Sequence, residues 1–271
     1  MPEITILADN RVASPYPRGL RGEWGFSVAI GDVLLDTGQS AAVHNAKLLD
    51  VPVEEFDSVV VSHSHFDHTS GLLDVLNVMD QPSLYCHPDV WDHRYLDQEG
   101  QFDGAPLGIP YTKSTVEAKA DIVEHRDPVE VTDGVHALGQ IPRSDQDYVI
   151  GKVEREKGDI DDPIVDDQSV VVETDDGLAL VLGCCHAGLR NTVKHAESVC
   201  NGDVRYIIGG THLIAVDSEE IHTIADWLAG KLDLLVSAHC TGTAAMGILN
   251  ERLPEIFEPA GVGSTIKLEG V

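Results

Sequence analysis

Short blocks of apolar and polar positions run along the first third of the chain, a strand-like pattern. Ile4 to Leu7 is apolar and partly β-branched. Ser27 to Ile30 and Val33 to Leu35 flank Gly31-Asp32, a two-residue hairpin turn. Val59-Val60-Val61 predicts a short buried strand. Leu72, Leu73, Leu76 and Met79 share one face of a helix expected over 71–79. Residues 91–165 are more polar, rich in Gly, Pro and Asp, and weakly periodic. Much of that reach is expected to be an insertion or lid, with a short helix at 114–120 and a solvated acidic loop at 159–167. Order returns with strands at 169–173 and 178–182, joined through Asp175-Asp176-Gly177. A helix over 189–200 and a strand over 205–208 follow. Asp217 and Glu220 form a capping box for a helix ending near Gly230, and a strand over 232–236 and a helix over 244–253 complete the pattern. Early hairpins, then strands alternating with helices, with no linker and no repeat, predict an α/β protein. The expected architecture is one four-layer αββα sandwich spanning 1–271.

Composition is compatible with that picture: 42% of the 271 residues are apolar, enough for a sizeable core. No apolar run approaches the ~18 residues of a membrane span, and the first residues carry no basic n-region. A cytoplasmic protein with no membrane association is expected. Charge adds something less ordinary, with 46 acidic residues against 18 basic ones and a net charge of −28. Such a surface repels itself in dilute buffer, whereas at molar salt the screening length falls to about 3 Å. A salt-rich, halophilic setting is expected. A broad anionic surface also argues against nucleic acid as a partner, since that binding needs a basic footprint. The five cysteines are too few and too unevenly placed for a disulfide framework, and with no CxxC pair a structural zinc ribbon is not expected.

The chemistry concentrates in His63-Ser64-His65-Phe66-Asp67-His68, directly behind the Val59 to Val61 strand. Two histidines two apart emerge on one face. Asp67 and His68 follow as the chain turns away and can address a second nearby point. Imidazole nitrogen and carboxylate oxygen are ligands for zinc, iron and manganese, and Ser62 and Thr69 can support them with hydroxyls. A chance surface cluster would not place four potential ligands in six residues behind a buried strand. Four ligands do not complete two metals, so further ones are expected at later strand ends. His186, in Gly183-Cys184-Cys185-His186, and His239, in Ser237-Ala238-His239-Cys240, are the candidates; each taken alone could equally be a core or surface histidine. His212, behind Gly209-Gly210-Thr211, has the same placement and is assigned to proton transfer or a substrate oxygen, with a structural role as the alternative. Cys184 reads as a small buried residue, although a thiolate there could face a metal. Asp36 either caps its turn or fixes the tautomer of a ligand histidine. Arg143 and Arg190 are candidate phosphate contacts, the alternative being ordinary surface arginines.

Taken together, these residues resemble the metallo-β-lactamase superfamily, whose HxHxDH run is matched by His63, His65, Asp67 and His68. Glu23 to Ser27, Leu35 to Ser40, Asn45-Ala46, Ile141-Pro142-Arg143, Gly183 to Gly188 with Asn191-Thr192, Gly209 to Leu213 and His239 to Gly242 narrow the likeness. They are similar to the branch of 7,8-dihydropterin-6-methyl-4-(β-D-ribofuranosyl)aminobenzene 5′-phosphate synthase-like metal-dependent hydrolases. The resemblance covers residues 9 to 242. It implies the αββα sandwich with metals at one edge of the two sheets. It also implies one metal on His63, His65 and His186 and another on Asp67, His68 and His239. Where most relatives have a bridging aspartate after the hairpin strand, this chain has Cys184. Trp24 stands where the branch often has histidine, and Ser64 and Ser70 replace glycines.

The expected activity is therefore hydrolysis of a small, anionic, phosphorylated or ester-type substrate by a hydroxide activated between two divalent ions, zinc foremost, with manganese or iron compatible. Asp67 would orient the hydroxide. An alternative within the family is a pterin condensation with diphosphate leaving, and a non-enzymatic alternative is a ligand-binding sensor on the same scaffold.

Overall fold

The computed structural model describes residues 3–144 and 150–268. One seven-stranded sheet is formed by β1 (Glu3–Ala8), β2 (Ser27–Ile30), β3 (Val33–Leu35), β4 (Ser58–Val60), β5 (Ser83–Cys86), β7 (Asp121–Glu124) and β17 (Thr265–Lys267), in the order β17-β1-β2-β3-β4-β5-β7. A second contains β8 (Val129–Thr132), β9 (Val135–Ala137), β12 (Ser169–Thr174), β13 (Gly177–Leu182), β14 (Val204–Gly209), β15 (Leu234–Ser237) and β16 (Phe257–Pro259), in the order β16-β15-β14-β13-β12-β9-β8. A small three-stranded sheet, β6 (Arg94–Tyr95) with β10 (Lys152–Val153) and β11 (Ile160–Asp161), stands apart from both.

Side-chain alternation explains how the layers stack. Along β13, Ala179 and Val181 face one way, into a core shared with Ile4, Ile6, Val28, Ile30, Leu35 and Val60 of the first sheet. Leu178, Leu180 and Leu182 face the other way, under the helices α5 (Leu189–Cys200), α6 (Ser218–Leu228) and α7 (Thr243–Arg252). The first sheet repeats this on its outer face. There Leu34, Val59 and Leu84 pack beneath α1 (Ala42–Leu48) and α3 (Leu72–Leu76), which follows the one-turn α2 (Phe66–Thr69). Because β2, β3 and β4 of one sheet and β13 and β14 of the other are buried on both faces along nearly their whole length, the order is helix, sheet, sheet, helix, the αββα sandwich the pattern predicts. The helix expected over 71–79 is the shorter α3, Leu72–Leu76. Asp217 caps α6 as its side chain accepts from the Glu220 N–H at 2.9 Å.

Part of the reach 91–165 belongs to the sandwich: residues 121–137 supply strands to its two sheets. β7 extends the first sheet beside β5, and the β8–β9 hairpin closes the edge of the second. The signal was weak because these are edge strands: β7 and β8 have no fully buried residue, so no apolar alternation marks them. The short helix of this reach, α4 (Lys113–Glu117), begins one residue earlier than predicted, capped by the Thr112 side chain. No helix among the described residues is long and apolar enough to cross a membrane.

Candidate metal centre

The candidate ligands leave the carboxyl ends of parallel neighbours. β3 delivers Asp36, β4 delivers residues 62–68, β13 delivers 183–186, β14 delivers 210–212 and β15 delivers 238–240. Parallel strands all end on the same side, so segments far apart in sequence converge there. Sharp turns at these exits aim the side chains. Asp36, Cys185, His212 and His239 all have left-handed backbone, with φ between 45° and 64°. Such conformations are uncommon for side-chain-bearing residues and cluster where function demands an aim. Gly183 makes the close approach possible, since a Cβ there would sit 2.2 Å from Ser62 Oγ and 2.9 Å from Asp36 Oδ2.

Two groups of three result. His63, His65 and His186 each place a ligand atom within 4.8 Å of the others, and Asp67, His68 and His239 do the same. Ring centroids are 4.5 Å apart for His63 and His65, 4.8 Å for His63 and His186, and 4.9 Å for His68 and His239. His63 and His68, one from each group, are 4.3 Å apart, so the two triads adjoin. Asp67 Oδ2 lies 3.4 Å from His239 Nε2 and 3.8 Å from His68 Nε2.

Hydrogen bonds behind the rings set the tautomers. Ser62 Oγ donates to Asp36 Oδ2 at 2.6 Å, so His63 Nδ1–H donates to Ser62 Oγ at 2.9 Å. His68 Nδ1–H donates to the same Asp36 oxygen at 2.6 Å. His239 Nδ1–H donates to Asn10 Oδ1 at 3.1 Å. In the neutral form of each ring this leaves Nε2 as the nitrogen with the lone pair, the form a metal requires. Asp36 thus acts on two ligand histidines at once.

The donor set fits divalent ions. His63 Nε2, His65 Nε2 and both nitrogens of His186 are buried with no hydrogen-bond partner among the described residues. Orphaned buried nitrogens are costly unless something binds them. The Nε2 atoms of His68 and His239 face each other at 3.2 Å, an arrangement that a shared cation relieves. Imidazole, carboxylate and thiol together form a donor set for zinc or its neighbours. Burial, then the neighbouring histidines, holds His63 and His186 well below the ordinary imidazole pKa. Burial lowers His65 to about 4 against the pull of Asp67 and Asp166. Burial opposes the charge on His68 too, but the Asp36 and Asp67 carboxylates outweigh it and raise His68 to about 9. Asp67 itself is held below the usual carboxylate range; burial would raise it, and His68 and His239 prevail.

The remaining candidates fall in different places. His212 joins the cluster, its ring 4.2 Å from that of His186. Arg143 donates to the carbonyl oxygens of Pro163 and Ile164, with Asp167 in its field. Arg190 pairs with Glu220 at 3.0 Å and lies over the Trp227 ring, contacts of the outer helical layer. The structure therefore brings Arg190 to none of the ligand groups above. Trp24, half exposed, has its ring 5.8 Å from that of His239.

Several participants escaped the sequence reading. The acidic run 159–167 is solvated only in its first part: Asp159 and Asp161 are exposed, whereas Asp162, Asp166 and Asp167 are buried. The fully buried Arg94 binds Asp162 at 2.8 Å and Asp166 at 3.1 Å, which compensates those charges. Asp166 also accepts from Ser64 N–H at 2.8 Å, and Asp167 from Ala187 N–H at 2.8 Å, so this run braces both ligand loops. Burial raises Asp167 to about 6 despite that bond. Asp9 accepts from His239 N–H at 2.7 Å. Asp9-Asn10 leaves the end of β1, so the rule that polar residues behind an apolar strand mark the site would have found it. Nothing comparable marks Asp166. Cys184, for which the sequence left both readings open, is buried with its Sγ 3.2 Å from His68 Nε2. Burial, the neighbouring Cys240 and Asp67 push this thiol well above its usual pKa, so it keeps its proton until a cation replaces it.

Residues 32–149 match the family model described as the beta-lactamase superfamily domain. The chain is 28% identical over 248 residues to the 7,8-dihydropterin-6-methyl-4-(beta-D-ribofuranosyl)-aminobenzene-5′-phosphate synthase of Methanocaldococcus jannaschii, covering 87% of this chain and 84% of that one. Among solved structures it superposes with a TM-score of 0.86 on Tm1679, a metal-dependent hydrolase of the beta-lactamase superfamily, at 24% identity and 100% coverage of both chains. YhfI of Bacillus subtilis, a metallo-beta-lactamase fold protein, gives a TM-score of 0.58 at 12% identity, covering 98% of this chain and 100% of that one.

Proposed function

We propose that this chain is a metallo-β-lactamase superfamily enzyme that hydrolyses a small phosphorylated or ester-type substrate at a dinuclear metal centre. One observation carries the reading: two adjoining, buried triads whose imidazole nitrogens lack protein partners. His63, His65 and His186 would hold one divalent ion, and Asp67, His68 and His239 the other. Bound there, such ions supply Lewis acidity and make a water nucleophilic at neutral pH.

The protein's own residues do the rest. Asp67, ionised and acceptor-only, holds a water's proton and so sets the direction of the water's lone pair. Asp36 and Asn10 keep the ligand rings from turning. His212, beside His186, offers a donor to a substrate oxygen. Arg143, tied to the 163–164 carbonyls, places positive charge near the His186 loop, where an anionic substrate would otherwise meet Asp166 and Asp167. Arg190 is given no part.

Metal analysis beside a panel of phosphomonoesters, phosphodiesters, thioesters and lactones tests the proposal. Two equivalents of metal and turnover of one substrate class are expected, with H68A losing about 100-fold or more of that turnover. Two bound metals with no turnover of any class would support the sensor alternative instead. The extended likeness to the Methanocaldococcus synthase favours a second reading, condensation on a pterin methylene with diphosphate leaving. Release of inorganic diphosphate from a pterin diphosphate, absent without the amine partner, would distinguish it.

A further inference from the structure

The reach 91–113 builds a cavity of about 640 Å³ against the ligand loop, with Phe66, Trp91, Ile109 and Tyr111 in its wall. Aromatic residues make up only 5% of the chain, yet three of them line this one cavity. Trp91, Ile109 and Tyr111 each pack against the outer core and are only partly buried. Backbone bonds brace the wall. Leu107 N–H donates to the Arg94 carbonyl at 2.9 Å, and Phe66 N–H donates to the Leu107 carbonyl at 2.8 Å. The charged side chains of the wall already have partners: Asp92 pairs with Arg155 at 2.9 Å, His93 with Glu154 at 2.8 Å, Lys113 with Glu124 at 2.9 Å, and Arg94 with Asp162 and Asp166. The polar tips of the rings are taken as well, Trp91 Nε1 donating to Glu124 at 2.8 Å and Tyr111 Oη to the Ser70 carbonyl. What remains for an occupant is ring surface without free charge, which suits a flat, uncharged group.

Position decides what that group belongs to. Phe66 stands between His65 and Asp67, a candidate ligand from each triad, and consecutive Cα atoms are only ~3.8 Å apart. Its ring is half-buried and, among the described residues, joins none of the three apolar cores. A molecule held against Phe66 is therefore one residue away from the ligands of both ions. We propose that this cavity is the recognition site for a planar aromatic group of the substrate, whose phosphoryl or ester part reaches the ions. This rests on the dinuclear reading above and adds to it the class of substrate. The rival platform is Trp24, which lies on the His239 side of the centre.

Two phosphonates test the assignment on the metal-loaded chain, since their common head group binds divalent ions and their P–C bond resists hydrolysis. By calorimetry, naphthylmethylphosphonate should bind about tenfold or more tighter than methylphosphonate. W91L should cut this advantage by about three- to tenfold, and I109W, which fills the cavity, should abolish it. W227L, changed in the outer helical layer, should keep it. Each ratio is taken within one variant, so a general weakening of the centre cancels. Equal binding of the two phosphonates by the unaltered chain would overturn the cavity assignment and leave the dinuclear centre standing, as would two bound ions with neither phosphonate held. An advantage that survives both W91L and I109W would overturn it too, and its loss in W24L would put the ring beside His239 instead. A folded chain that holds no ions would sink the dinuclear reading and this proposal together.

Discussion

Replacing Asp36 with asparagine is the sharpest test of how the centre is built. Three donors converge on this carboxylate: Ser62 N–H on Oδ1 at 2.7 Å, and Ser62 Oγ and His68 Nδ1 on Oδ2, both at 2.6 Å. The backbone at Asp36 has φ 57°, and asparagine tolerates that region as well as aspartate does. Size is nearly unchanged, so D36N alters charge and hydrogen-bond polarity alone. With its NH2 in the Oδ2 position, the amide can only donate. His68 must then accept at Nδ1 and carry its proton on Nε2, where the ion should bind. With its oxygen there instead, the tautomer survives but the charge assistance on His68 is lost. Outer supports of this kind are worth 10- to 100-fold in metal affinity, or about 1.4–2.8 kcal/mol. The Asp67, His68 and His239 triad should lose most, because His63 feels Asp36 only through Ser62. Competition against a chromophoric chelator would read the two equivalents separately, and D36N should weaken one by 10- to 100-fold and the other by less. Two unweakened equivalents in a folded D36N protein would refute the reasoning.

Three further outcomes are expected. R94M should lower unfolding free energy by about 3–5 kcal/mol in urea melts, since it leaves Asp162 and Asp166 buried without their cation; a loss below 1 kcal/mol would mean that water reaches these carboxylates. Metal-free protein should lose stability as the pH falls from 6.5 towards 4, because His65, with its folded pKa lowered to about 4, refuses a proton that the unfolded chain accepts. That window corresponds to about 3 kcal/mol for this residue, so H65N should show a shallower decline, and equal slopes would contradict the assignment. With a net charge of −28, the melting temperature should climb as potassium chloride rises from 0.1 to about 2 M, where screening shortens below ~3 Å; a flat or falling profile would remove the case for a salt-rich setting.

How much of this was legible in the sequence depended on whether a residue announces its own surroundings. Strands buried on both faces did so, and β2, β3 and α5 occupy the ranges their apolar patterns mark. The ligand candidates did too, since His63 to His68, His186, His212 and His239 each follow an apolar strand and parallel strands end together. Edge strands β7 and β8 did not, because partial exposure removes the alternation that would identify them. The supports were hidden for a different reason. Asp166 and Asp167 lie in a run that reads as a solvated face, and what buries them is Arg94, some 70 residues earlier, together with backbone N–H groups at Ser64 and Ala187. A backbone N–H is the same for every residue type, so no composition or spacing signals that it awaits a carboxylate. Cys184 was open to two readings on similar grounds: a small buried thiol is ordinary until the positions of five surrounding histidines are known. The candidate ligands are thus encoded locally, by type and by strand exit, while the residues that hold them in place are encoded only by the closed fold. That division explains why D36N and R94M, both outside the recognisable motif, are expected to be as informative as any substitution within it.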